Sequence, residues 1–172
     1  MATRKSRVRP EPVHSRAAIN GHPLHPMLIH FPVAALLMLV GTDAAFVWTG
    51  DAFWARASLW LAGVGALGGW VSGVAGLIDL VTVRQVRRLI TAWIHSIIAV
   101  MLLSLASLNW LLRLDDPVES LLPWGLGISL VTAGLISLAG YLGGQLVYEH
   151  AVGVDTDQAA RKHAQAKSTE AG

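Results

Sequence analysis

Apolar residues gather into four long runs along the chain, at about Pro26–Thr49, Ala57–Leu80, Leu89–Leu112 and Leu121–Tyr148. Polar and charged residues are largely confined between these runs and to the two ends. No run alternates with period two, so half-buried strands are not expected, and an open sheet in lipid would leave backbone groups unpaired. Each run is long enough to cross a bilayer core of about 30 Å, which takes roughly 20 helical residues. The pattern predicts an all-α fold: a four-helix transmembrane bundle. Residues 1–20 read as a basic flexible tail and residues 21–154 as the four-span domain. Residues 155–172 read as a polar tail, expected to fray or stay disordered.

Composition strengthens the membrane reading. Hydrophobic residues make up 53% of the 172 positions and charged residues 14%, against about 25% charged in ordinary soluble domains. The net charge of +2 does not imply a nucleic-acid partner, because the cations sit between the apolar runs and in the tails. The expected partner is the lipid bilayer. No apolar stretch precedes residue 27, so a cleavable signal peptide is not expected. The absence of cysteine removes disulfides, thiolate-held clusters, covalently attached c-type haem and cysteine nucleophiles.

Charge placement predicts orientation. Arg4, Lys5, Arg7, Arg9 and Arg16 precede the first run, Arg84, Arg87 and Arg88 lie between the second and third, and Arg161, Lys162 and Lys167 follow the fourth. The other two connections hold only Arg56 and Arg113, beside Asp51, Asp115, Asp116 and Glu119. Such a bias puts both termini in the cytoplasm. Trp48, Trp54, Trp110 and Trp124 then fall at the outer ends of the spans, where an aromatic belt belongs.

Small residues predict how the helices meet. Gly65, Gly69 and Gly73 form one row of the second span, and Gly68, Ser72 and Gly76 form the next. Gly140 and Gly144 repeat the device in the fourth. Pro32 is expected to loosen or kink the first span.

Titratable residues collect at one rim. His22 and His25 lead into the first span, and His30 and His95 lie roughly 6–9 Å inside the first and third. Asp79 ends the second span, and Glu149 and His150 end the fourth. The stripe His30, Ala34, Gly41, Trp48 suits a bundle-facing row, as does the stripe starting at His95. Asp79 continues a small-residue row and is expected to meet His95 or His150. Asp43, near the opposite end, is expected to make a separate interhelical contact with Thr42 or a neighbouring backbone.

The segments GHPLHPMLIHFPVA, AGLIDLVTV, AWIHSIIAVML and GYLGGQLVYEHAVGV, in that order, resemble the bacterial membrane family called domain of unknown function 2231. The resemblance covers roughly residues 20–154, with Ala151 where the family's last motif tends to have glycine. It implies a four-helix protein of the inner, cytoplasmic membrane with histidines and an aspartate at matching positions. Relatives joined to Rieske-type iron–sulfur or cytochrome-like domains imply a redox setting and a redox partner of that kind.

Three functions fit these residues. A b-type haem could be held by His30 and His95, with Arg88 on a propionate. A divalent-metal or proton site for transport or sensing could draw on His22, His25, Asp79, Glu149 and His150 together with the deeper histidines. The polar rim could instead close a structural subunit that binds another protein. No serine–histidine–acid pattern or paired carboxylates point to a hydrolase.

Overall fold

A computed structural model describes residues 13–154; the expectations for residues 1–12 and 155–172 lie outside the described residues. Residues 13–20, read from sequence as part of a flexible tail, are folded onto the bundle. Ala18–Ile19 (β1) pairs antiparallel with His22–Pro23 (β2), Ala18 opposite Pro23 and Ile19 opposite His22. Between them Asn20 and Gly21 take φ of 49° and 79°, the left-handed pair that a two-residue Asn-Gly hairpin turn requires.

The hairpin hands the chain directly to α1, Leu24–Thr49, two residues before the expected start. Pro26 falls in its first turn, where a backbone N–H has no partner within the helix. Helix α1 runs on through Pro32, whose buried ring lies 3.5 Å from where a Cβ on Gly68 would sit. The helix stops at Gly50, whose φ of 67° turns its N–H onto the Phe46 carbonyl at 2.8 Å. Asp51 then caps α2, Ala52–Thr82, by accepting the Phe53 N–H at 2.8 Å. That cap starts the helix five residues before the apolar run.

A short turn of helix, α3 (Arg84–Arg87), leads to α4, Ile90–Leu112. The fourth apolar run is not one uniform helix. It opens with a wide turn over Leu121–Gly125, in which Leu122 is extended, and continues as α5, Leu126–Tyr148. Beyond α5, Val152 pairs in parallel with Val13, tying the two ends of the described chain together.

In the bundle α1 packs on α2, α2 on α4, α4 on α5, and α5 back on α1. Helices α1 and α4 therefore oppose each other across one diagonal. The apolar core between them holds Leu36, Leu39, Ala62, Ala66, Leu102, Leu103, Ala106 and Ile136. The glycine rows of α2 serve two neighbours at once: a Cβ on Gly65 would strike Leu36 of α1, and one on Gly69 would strike Leu103 of α4. In α5 the expected row is not used this way, since Gly140 faces open space and Gly144 meets only its own helix's Tyr148. Gly143 makes the close approach instead, to His95.

Candidate functional site

Positions on α1 and α4 decide which polar groups can meet. Five residues turn a helix by about 140°, so His25 and His30 cannot both face the bundle. His25 is the one turned inward, half-buried, while His30 is exposed together with Ala34, Gly41 and Trp48. That stripe faces outward, contrary to the sequence reading. The ring of His25 stands against the ring of His95, with centroids 6.2 Å apart and planes at 87°. The imidazole opposite His95 is thus His25 and not His30.

Each of these rings is anchored to a neighbouring helix. His25 Nδ1 lies 2.9 Å from the Ser72 carbonyl on α2 and 3.1 Å from the Ser72 hydroxyl. His95 Nδ1 lies 3.0 Å from the Ala139 carbonyl on α5. A carbonyl only accepts, so each Nδ1 carries a proton, and in the neutral ring Nε2 is the nitrogen left with a lone pair. The Ser72 hydroxyl donates in turn to the His25 carbonyl at 3.2 Å. Glycines make the seats: a Cβ on Gly76 would lie 3.1 Å from His25 Nδ1, and one on Gly143 would lie 3.4 Å from His95 Cε1. All four helices converge on this pair.

The remaining candidates are dispersed. His22 is exposed and its Nδ1 lies 3.1 Å from the Asn20 carbonyl. Arg88 is exposed at the end of α3, and Glu149 is exposed at the end of α5 with His150 after it. Asp79 does not meet His95 or His150. Its carboxylate accepts the Ser15 hydroxyl at 2.5 Å and the backbone N–H groups of Arg16 and Ala17 at 2.8 and 3.0 Å. It holds the N-terminal segment to the bundle. Among the described residues no three His, Asp or Glu side chains come together in a group that could hold a metal ion.

A second polar cluster, at the other end of the same two helices, has a partner that sequence reasoning missed. Asp43 forms a two-pronged ion pair with Arg113, at 2.7 and 2.8 Å, both side chains at 0% exposure. Arg113 Nε donates to Asn109 at 2.9 Å, and Ser129 of α5 donates to Asp43 at 2.7 Å while accepting from Asn109 at 2.9 Å. Asp43 does not pair with Thr42, which instead accepts from Ser58 of α2 at 2.8 Å. By its place in the sequence Arg113 counts as a loop charge. The signal for both clusters is in the spacing: His25 to Asp43 and His95 to Arg113 are each eighteen positions apart. Eighteen residues are five full turns, so each helix presents both groups on one face, about 27 Å apart.

The family model described as "Predicted membrane protein (DUF2231)" matches residues 21–156. No curated protein and no solved structure matches the chain. The matched segment runs from the hairpin turn through all four spanning helices, and the chain belongs to this family of predicted membrane proteins.

Proposed function

We propose that the chain is a membrane redox module holding a b-type haem through His25 and His95. The observation that carries the reading is the anchoring of both imidazoles by Nδ1–H to backbone carbonyls. Ligating histidines are oriented in this way, with the other nitrogen left to the metal. Two imidazoles are too few for a closed zinc site, whereas a b-type haem would be held by two such histidines. The two rings stand close enough, with centroids 6.2 Å apart, for both to serve one bound group. When bound, the haem would supply one-electron chemistry. His25 and His95 would hold its iron, Ser72 and Ala139 would fix the rings, and Gly76 and Gly143 would leave them room. Arg88 has no part in this reading.

The partner proposed for this module is a Rieske-type or cytochrome-like protein, on the strength of the family resemblance. The proposed location is the inner, cytoplasmic membrane with both termini in the cytoplasm, supported by the placement of eleven of the thirteen Lys and Arg residues.

An absorption spectrum tests the assignment. Protein purified from haem-supplied cells is expected to show a Soret band, with sharp α and β bands on reduction. His25→Ala and His95→Ala should each abolish or shift these bands, and His30→Ala should leave them intact. A well-folded protein that stays colourless after haem reconstitution would overturn the reading and leave the two rings as a polar contact between helices.

A further inference from the structure

Three arginines crowd the short connection between α2 and α4. Arg84, Arg87 and Arg88 are all exposed, while Val83 and Val86 between them are 6% exposed and pack with Leu80, Ala92 and Val13. That burial fixes the turn's orientation, so the three guanidinium groups must point away from the bundle. The backbone is held as well. Arg87 N–H bonds the Val83 carbonyl at 3.0 Å and Leu89 N–H the Val86 carbonyl at 3.0 Å. The Trp93 indole donates to the Arg87 carbonyl at 2.9 Å, and the residue is 45% exposed. An indole with its N–H tied to the polar turn and its ring outside the bundle marks the headgroup level of a membrane.

Among the described residues these cations have no carboxylate partner. Asp43–Arg113 is the single ion pair among the described residues, and it lies at the far end of the bundle. Asp79, the nearest acid on α2, gives its oxygens to Ser15, Arg16 and Ala17. Three exposed guanidiniums on a held turn, unpaired among the described residues and close to headgroup depth, match ligands that carry net negative charge on phosphate, for which the planar guanidinium fork is suited.

We infer that the α3 turn, with Trp93 beneath it, is a binding site for anionic phospholipid headgroups. The site is independent of whatever the imidazole pair binds. Zwitterionic lipids offer phosphate without net charge and are discriminated against there.

The test uses the full chain reconstituted in phosphatidylcholine bilayers with trace spin-labelled phosphatidylglycerol or phosphatidylcholine. The motionally restricted fraction reads out which lipid the protein holds. Phosphatidylglycerol should be favoured on the order of fivefold for each effective arginine contact, and less so at high salt. R84Q/R87Q/R88Q should bring the ratio close to one, and R84K/R87K/R88K, which keeps the charge, should retain most of the preference. Equal association of both lipids with the unaltered protein would overturn the inference and leave an acidic protein surface as the occupant of the turn. A preference that persists in the glutamine variant would also overturn it, by placing the selectivity on other cations.

Discussion

With both side chains at 0% exposure, Asp43 and Arg113 depend on each other for the charge neutralisation that water would otherwise provide. Removing one member of such a pair leaves an uncompensated buried charge, which costs about 3–5 kcal/mol. Asp43→Leu and Arg113→Leu should each lower stability by that order in detergent unfolding. The double variant should recover much of the loss, since two apolar side chains strand no charge. Single variants as stable as the parent protein would show that the charges are solvated after all. The residues of this cluster were partly legible in the sequence. Asp43 stood out as a lone acid in an apolar run, but Arg113 was assigned to the loop beyond its helix. A long side chain at a helix end can reach back into the bundle, and position along the chain does not reveal whether it does. The inward-facing place of His25, opposite His95, was hidden by a different cause. With the helix expected to begin at Pro26, His25 lay outside it, and the tight turn at Asn20 and Gly21 moved the true start to Leu24.

At the level of helices, the spacing of small residues showed that α2 would be approached closely, without showing by what. A row at every fourth position records a groove, and the partner depends on how the other helices are arranged around it. Here two positions one turn apart receive side chains from two different helices, Leu36 and Leu103. Gly69→Ala would drive a methyl group into Leu103, and overpacking of this kind costs about 1–3 kcal/mol. Gly140→Ala meets nothing within 4 Å and replaces a poor helix former by a good one, a gain of up to about 1 kcal/mol. The two single-methyl changes should therefore shift the unfolding midpoint in opposite directions. A Gly69→Ala protein no less stable than the Gly140→Ala protein would refute the close α2–α4 contact. The segment before α1 was the least legible element, because its order comes from Asp79, sixty-odd positions away, and not from its own composition.

Across the whole molecule, the number of spans and their approximate limits were readable because hydrocarbon imposes length and apolarity on anything that crosses it. The diagonal arrangement was not, since no local pattern says which helices are neighbours. Orientation rests on charge bias alone, and Arg113 must now be removed from the outer loops' share because its charge is sealed in the bundle. The asymmetry becomes sharper for that correction. Reporter fusions after residues 52 and 116 should give outside signals and those after residues 86 and 160 cytoplasmic ones, and a cytoplasmic signal at 116 would reverse the assignment.

The parallel pairing of Val13 with Val152 has a consequence in time. Val13 N–H bonds the Ala151 carbonyl at 3.2 Å, and Gly153 N–H bonds the Val13 carbonyl at 2.8 Å. A ribosome makes Val13 before any helix of the bundle and Ala151 after all of them. At roughly 5–20 residues per second, about 7 to 28 seconds separate the two. Throughout that interval the backbone at Val13 lacks the partner it has beyond α5. The clasp closes only on a finished bundle, and its closure registers that the last helix has been threaded.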